Sequence, residues 1–186
     1  QIALQTIQMR AILADPAYRD GDYLADPGAA RPDGGLALAR RLAHWSYRSR
    51  EELDARFGRE PQDGEDPLRD GGRYAVESYL DHHGTKLVQR FDAASYVRLT
   101  DAMNGHDVGR DRGGVGAALA RFRGEAAVIG VDSDRLYPLD EQHELARHLI
   151  GPDAHASVVH SPYGHDSFLI EHQQVGAILR ELLERL

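Results

Sequence analysis

An acidic residue and a histidine near the C-terminal end follow each other in the order of the last two members of a hydrolase-type Ser-Asp-His catalytic triad. Asp134 ends the acidic turn Asp132-Ser133-Asp134, and His165 lies in the triplet Gly164-His165-Asp166. A carboxylate that accepts a hydrogen bond from one imidazole nitrogen fixes the tautomer of the ring and leaves the other nitrogen to act as a base. The chain contains no cysteine and no Gly-x-Ser-x-Gly pattern, so we expect the nucleophile to lie outside these residues.

Two acids compete for the role of the triad acid. We prefer Asp134 to Asp132 because the x-Leu-x-Pro pattern after Asp134 places it at the apex of its loop. The alternative is that one of these acids caps the helix that follows and that His165 is an ordinary loop residue. The catalytic interpretation is favoured because Asp134 and His165 each follow a predicted strand.

A strand-helix-strand-helix pattern predicts how these residues are positioned. Residues 126–131 and 156–159 are short apolar runs that are typical of buried parallel strands. One helix is predicted from Pro138 to about Leu149, and another over residues 171–186. In a parallel α/β sheet the loops at the carboxyl ends of the strands meet at one edge. Because parallel sheets need cover on both faces, we expect further strands from an N-terminal half outside this chain.

The remainder of the chain predicts helices joined by polar loops. Asp15-Pro16 ends the first helix, since the residue before a proline is pushed out of the helical region. Asp92 is expected to cap the fifth helix. The predicted helices cover residues 2–14, 35–47, 51–57, 74–84, 91–104 and 115–123, with loops over residues 15–34, 60–72 and 105–114.

Composition excludes several classes of protein. The 186 residues carry a net charge of −8, which argues against binding to nucleic acid or to an anionic membrane surface. The absence of cysteine excludes disulfides and thiolate metal sites and suits a cytoplasmic protein. No apolar run is long enough to span a membrane, and the N-terminus lacks the pattern of a signal peptide. Because the chain begins without a methionine, inside an amphipathic pattern, we expect a cut end.

Two other patterns have weak functional interpretations. Asp81-His82-His83 resembles a metal-binding triplet of certain phosphoesterases, but the other acids that such a site needs are not at matching spacings. A position at the end of a helix explains the triplet better. The other histidines lack ligand spacing, so no metal is predicted. Gly113-Gly114-Val115-Gly116 has neither the preceding strand nor the following Lys-Ser/Thr of a phosphate loop, and we expect a connector there.

Several segments together resemble the homoserine O-acetyltransferase family, in order along essentially the whole chain. They are Leu38–Arg41, His44–Tyr47, Val76–Lys86, Phe91–Tyr96, Val131–Pro138 and Tyr163–Leu169. The resemblance implies an α/β chain that is mostly helical. It would comprise the C-terminal part of an α/β-hydrolase fold (the last two parallel strands with flanking helices) and an inserted helical lid. Residues 1–14 would be a helix of the hydrolase core, residues 15–114 the lid with its connectors, and residues 115–186 the C-terminal part of the core.

The resemblance also implies individual roles. Asp134 would be the triad acid, His165 the general base, Arg40 the ligand of the homoserine carboxylate, Tyr47 its neighbour, and Asp166 the ligand of the amine. Arg40 and Tyr47, seven residues apart, would project from one helix face about 10 Å apart, and an arginine fork suits a carboxylate. The residues alone leave alternatives: Arg40 extends to solvent or pairs with Asp33, Tyr47 is ordinary core, and Asp166 only orients its loop.

The implied activity is transfer of an acetyl group from acetyl-CoA to the hydroxyl of L-homoserine, a step of methionine biosynthesis. It uses acetyl-CoA as co-substrate and no cofactor. The implied partners are the missing N-terminal half with its serine and a second copy joined through lid helices over residues 74–104. Arg110 and Arg112 are basic residues that could meet the CoA phosphates, but a position on the solvated surface explains them better. The alternatives are a homoserine O-succinyltransferase, a serine O-acyltransferase, an esterase of the same fold, or a non-catalytic lid-and-tail fragment. Without the serine, the chain alone is expected to be inactive.

Overall fold

The computed structural model describes residues 1–26, 28–69 and 71–186 and shows two compact units. The helical unit consists of residues 1–45 and 53–106, and the α/β unit consists of residues 46–52 and 107–186. In chain order, the helices and strands are α1 (Ile2–Leu13), α2 (Asp33–Tyr47), α3 (Arg50–Arg56), α4 (Ala75–Val88), α5 (Ala93–Gly105), α6 (Val115–Leu119), β1 (Ile129–Val131), α7 (Leu139–Leu149), β2 (Ser157–Val159), α8 (Ser167–Ile170) and α9 (His172–Leu183).

The core of the helical unit is built from apolar stripes of α1, α2, α4 and α5. Ile12, Leu36, Leu87 and Val97 contribute one buried side chain from each of these helices. Burial of a side chain of this size contributes about 1.5–3 kcal/mol to folding. Because α1 shares this core and packs against α5, it groups with the helices of residues 53–106. The assignment of residues 1–14 to a hydrolase core and of residues 15–114 to a lid stays a prediction.

The segment predicted as a loop over residues 15–34 contains a short 3₁₀ helix, Arg19–Ala25, that is kinked where Asp20 and Gly21 have positive φ. Its Tyr23 is buried and donates a hydrogen bond of 2.6 Å to Asp92 Oδ2. Burial and this bond raise the pKa of Tyr23 to about 12. Asp92 also accepts a bond of 2.8 Å from the backbone N–H of Ser95, which confirms the predicted cap of α5. One carboxylate therefore both begins α5 and ties the 3₁₀ helix to it.

Helix α4 is longer than predicted. It was expected to end near Gly84 but continues to Val88, because Gly84 lies inside a close contact with α2. A Cβ at Gly84 would come within 3.0 Å of the Ala37 carbonyl oxygen. The triplet Asp81-His82-His83 therefore lies within the helix, and its predicted position at a helix end is wrong. Asp81 pairs with Arg41 at 2.9 Å.

The α/β unit contains the predicted strand-helix-strand-helix pattern. β1 and β2 pair in parallel with Ile129 opposite Ser157 and Val131 opposite Val159, and α7 connects them. The first strand is shorter than the predicted 126–131. Val128 O still accepts a bond of 2.8 Å from the Ser157 N–H, but the Ala156 N–H donates to His143 Nδ1 at 3.0 Å instead of to the neighbouring strand. The predicted positions of the sheet and of α7 are confirmed.

The other boundaries differ by a few residues. α6 ends at Leu119 rather than near residue 123, and α9 ends at Leu183. A 3₁₀ turn over Gly164–Asp166 and the short α8 precede α9 and were not predicted. Within the described ranges the sheet has two strands, and no helix is both long and apolar enough to cross a membrane.

Candidate active site

The loops that follow β1 and β2 bring Asp134 and His165 together. His165 Nδ1 lies 2.9 Å from Asp134 Oδ2, and the Asp134 side chain is only 6% exposed. A carboxylate at this distance accepts a hydrogen bond from Nδ1–H. In the neutral ring, Nε2 then carries no proton and is available as a base. The pair has the geometry that was predicted from the order of the two residues along the chain.

Asp134 is held in its ionised form by the fold around it. Its burial would raise the pKa of the carboxyl, but hydrogen bonds outweigh that effect and hold the pKa below its usual range. His165 donates to Oδ2, while the backbone N–H groups of Leu136 and Tyr137 donate to Oδ1 at 2.8 and 3.0 Å. An Asp134 that stays charged can stabilise an imidazolium on His165 when the base takes up a proton.

Aromatic rings surround the His165 imidazole. The ring centroids of Tyr47, Tyr137 and Phe168 lie 5.6, 5.1 and 5.5 Å from that of His165. Tyr137 and Phe168 also line a mostly apolar cavity of about 300 Å³ that includes Asp134, His165 and residues of β1. These two rings were not singled out from the sequence, although both lie inside the segments that carry the family resemblance. Both rings are also partly exposed, Tyr137 at 40% and Phe168 at 48%.

A second histidine-carboxylate pair connects the same two loops. His160 Nδ1 lies 2.8 Å from Asp132 Oδ2, so Asp132 and Asp134 each bind one histidine. The second pair is much more open to solvent, since the His160 side chain is 77% exposed. Asp132 also accepts a bond of 3.1 Å from the Ser161 N–H. The distance from carboxylate to imidazole therefore does not distinguish the pairs, whereas burial does.

Asp166 and Tyr47, two of the predicted substrate ligands, lie close to His165 in the α/β unit. Tyr47 contacts the imidazole, and Asp166 follows it directly in the chain. Asp166 Oδ2 pairs with the Arg48 guanidinium at 3.1 Å, and Arg48 also lies 3.6 Å from Glu52. Arg48 was not predicted to belong to the site. The i to i+4 spacing of Arg48 and Glu52 is a local signal, but nothing in the sequence links Arg48 to Asp166.

Arg40, the fifth predicted site residue, belongs to the helical unit. It lies on α2, two helical turns before Tyr47, and is partly buried. Asp33, its alternative partner, lies 3.6 Å from Arg31. Of the basic residues considered for CoA, Arg112 donates to the Val108 carbonyl oxygen at 3.0 Å. Among the described residues, no cluster of three or more His, Cys, Asp or Glu side chains could hold a metal ion.

Comparison with curated sequences finds strong similarity to one group of enzymes. A homoserine O-acetyltransferase from Clavibacter michiganensis subsp. michiganensis is 56% identical over 186 residues, which is 99% of this chain and 48% of the relative. A homoserine O-acetyltransferase from Thermobifida fusca is 55% identical over 183 residues, 98% of this chain and 48% of the relative. The chain thus spans about half the length of the curated relatives it matches. No protein-family model matches it.

Comparison with solved structures shows the fold. A homoserine O-acetyltransferase from Bacillus anthracis superposes with a TM-score of 0.81 at 20% identity, over 97% of this chain and 48% of that structure. The esterase E22 superposes with a TM-score of 0.76 at 18% identity, over 97% of this chain and 50% of that structure. The chain therefore has the fold of a C-terminal portion of an α/β-hydrolase, and along almost its whole length it is similar in sequence to homoserine O-acetyltransferases.

Proposed function

We propose that this chain is the C-terminal portion of an acyltransferase that moves an acetyl group from acetyl-CoA to the hydroxyl of L-homoserine. The observation that carries this proposal is the hydrogen bond between His165 and the buried Asp134 side chain at the carboxyl ends of two parallel strands. The sequence similarity to homoserine O-acetyltransferases supports the choice of substrates. The nucleophile would be a serine of an N-terminal half, outside the residues of this chain.

In the first half-reaction, His165 Nε2 removes the proton of the serine hydroxyl while its oxygen attacks the thioester carbonyl of acetyl-CoA. The bond from carbon to sulfur breaks, the imidazolium gives its proton to the leaving thiolate, and the enzyme keeps the acetyl group as a serine ester. Asp134 stabilises the imidazolium through its bond to Nδ1.

In the second half-reaction, His165 removes the proton of the homoserine hydroxyl, whose oxygen attacks the serine ester. The bond from the acetyl carbon to the serine oxygen breaks, and the serine recovers its proton from the imidazolium. Water competes with homoserine at this step. A site that binds the two ends of the amino acid raises the effective concentration of its hydroxyl and favours transfer over hydrolysis.

Homoserine would be recognised through its charged groups. Arg40 would bind the carboxylate with Tyr47 beside it, and Asp166 would accept hydrogen bonds from the ammonium group. The pair with Arg48 uses Oδ2 of Asp166, so the ammonium would bind Oδ1. The Arg48 guanidinium then orients the Asp166 carboxylate before the substrate binds. It also partly neutralises that carboxylate, which would limit the affinity of the site for the ammonium group.

Two partners complete the proposal. The N-terminal half would supply the serine, the oxyanion-hole donors and the remaining strands of the sheet. A second copy of the enzyme would associate through helices within residues 74–104, which include α4 and α5.

The proposal is tested by the Arg40→Ala variant of the longer polypeptide. Loss of a charge-assisted hydrogen bond of about 1.5–3 kcal/mol predicts a rise of about 10- to 150-fold in the homoserine KM. The rate of acyl-enzyme formation from acetyl-CoA should stay within about twofold. Arg41→Ala is the matched control, because Arg41 is the next residue of α2 and pairs with Asp81 instead.

Equal damage to both half-reactions in Arg40→Ala would refute the carboxylate role. The choice of acceptor is tested by supplying homoserine, serine or water to the acetyl-enzyme. Faster deacylation by serine than by homoserine, or by water alone, would replace the proposed activity with that of a serine acyltransferase or an esterase.

A further inference from the structure

We infer that Ser133 is a positioning residue that clamps the loop carrying His165 to the loop carrying Asp134. The inference rests on the proposed function only in assuming that His165 acts as a base and needs a fixed orientation. Ser133 lies between Asp132 and Asp134, and its hydroxyl faces the other loop rather than solvent.

The Ser133 hydroxyl makes two hydrogen bonds to the histidine loop, one in each direction. It donates to the Ser161 carbonyl oxygen at 2.5 Å and accepts from the Gly164 N–H at 3.0 Å. Ser161 and Gly164 are both buried, so neither backbone group could find water easily if the hydroxyl were removed. Only a hydroxyl offers a donor and an acceptor on one atom of this size. An alanine would leave two backbone groups unsatisfied at once.

Gly164 is the residue through which the clamp reaches His165. Its φ is +66°, and a Cβ there would lie 2.6 Å from the Tyr47 carbonyl oxygen and 2.7 Å from the Ser49 nitrogen. Ser167 Oγ donates to the Gly164 carbonyl oxygen at 2.6 Å. Serine hydroxyls thus hold the N–H and the C=O of the residue directly before His165. The direction in which the imidazole leaves the backbone follows from these bonds.

The acidic turn therefore binds the histidine loop through three consecutive side chains. Asp132 bonds His160, Ser133 bonds the backbone between the two histidines, and Asp134 bonds His165. The first contact is largely exposed, the third involves a buried carboxylate, and the middle one is partly buried with buried backbone partners at Ser161 and Gly164. Since a misplacement of about 1 Å in a catalytic group can cost about 100-fold in rate, the middle contact, which holds the backbone before His165, is expected to limit the freedom of the base.

The test compares three variants of the longer polypeptide. Ser133→Ala removes the clamp, Ser133→Thr keeps a hydroxyl, and His160→Ala removes the exposed neighbouring pair as a matched control. For Ser133→Ala we expect kcat to fall about 10- to 100-fold and the homoserine KM to stay within about threefold. We expect Ser133→Thr to restore most of kcat, and His160→Ala to keep kcat within about threefold.

The folded fraction of each variant separates positioning from loss of folded protein. Circular dichroism and urea unfolding give that fraction, and kcat is divided by it. A variant that only unfolds more readily would regain the unaltered kcat after this division, whereas a variant with a misplaced base would not. Unchanged kcat in Ser133→Ala, or a loss that disappears once the folded fraction is counted, would overturn the inference.

The measurements also separate this inference from the proposed function. If the unaltered protein hydrolyses p-nitrophenyl acetate but does not acetylate homoserine, the acceptor is wrong and the same variants are compared on the ester. If it does neither, ¹⁵N NMR of the labelled histidines tests the Ser133 clamp without an activity assay. The Nδ1 proton signal of His165 should be protected from exchange in the unaltered protein and lost in Ser133→Ala. An equally protected signal in both would overturn the clamp.

Discussion

Replacing Asp134 with asparagine tests the assignment of the triad acid with little disturbance of the fold. The asparagine side chain has the same shape, and its oxygen can still accept the N–H groups of Leu136 and Tyr137 that bind Oδ1. What changes is the group facing His165, 2.9 Å away. The carboxylate oxygen there becomes an NH₂ group, which donates and cannot accept.

Two effects add in the Asp134→Asn variant. The imidazolium loses a charge-assisted hydrogen bond, worth about 1.5–3 kcal/mol, or about 10- to 150-fold in rate. The amide also donates to Nδ1, so the proton of the neutral ring moves to Nε2, where the base must be free. Together we expect kcat to fall about 10³- to 10⁴-fold, the size of effect that the wrong histidine tautomer has in serine proteases.

Asp132→Asn is the matched control because Asp132 makes the same kind of contact in the same turn. Its oxygen can still accept the Ser161 N–H, and the partner it loses, His160, is mostly in solvent. Exposed pairs contribute little, so we expect a fall of less than about fivefold. The assay is release of CoA thiol from acetyl-CoA in the longer polypeptide, in the presence and absence of homoserine. Similar losses in both variants, or a larger loss in Asp132→Asn, would refute the assignment of Asp134.

Two further predictions concern stability. Asp92→Ala removes the cap of α5 and the acceptor of Tyr23 and should lower the free energy of unfolding in urea by about 1.5–3 kcal/mol. Because the pKa of Asp92 is lowered in the folded protein, the stability that its charge contributes is present above about pH 4 and is lost as the pH falls below it. The free energy of unfolding of Asp92→Asn should therefore equal that of the unaltered protein only in acid. Gly164→Ala forces a side chain at positive φ against the Tyr47 carbonyl and should lower the free energy of unfolding by at least about 2 kcal/mol. Gly176→Ala is the control, because a Cβ there would lie 3.8 Å from its nearest neighbour within α9, and it should stabilise the protein by about 0.5–1 kcal/mol. Equal Tm changes in the two alanine variants would contradict this reasoning.

Local signals predicted much of the fold. The cap at Asp92 and the apolar runs before Asp132 and His160 depend on neighbouring residues in the chain, and the structure has α5, β1 and β2 where those signals indicate. The end of α4 was mispredicted because a glycine is a common signal for the end of a helix. Gly84 instead allows α4 to approach Ala37 on α2 closely, and no local sequence pattern indicates such a contact.

The candidate site was predictable only in part, for the same reason. The order of Asp134 and His165 along the chain indicated their pairing, but Asp132 pairs with a histidine too, and only burial separates the two acids. The roles of Ser133 and Arg48 depend on contacts to residues far along the chain, at Gly164 and Asp166. Serine and arginine are common in loops, so their types alone carry no such information.

The most direct test of the central claim is to locate the acetyl group after the longer polypeptide has reacted with acetyl-CoA in the absence of homoserine. Peptide mass spectrometry should find one acetyl group on a serine that precedes Gln1. Homoserine should remove it and form O-acetylhomoserine, and residues 1–186 alone should not be acetylated. Turnover of an acetyl group carried by a residue within 1–186, or acetylation of homoserine by residues 1–186 alone, would contradict the claim that His165 serves a nucleophile outside this chain.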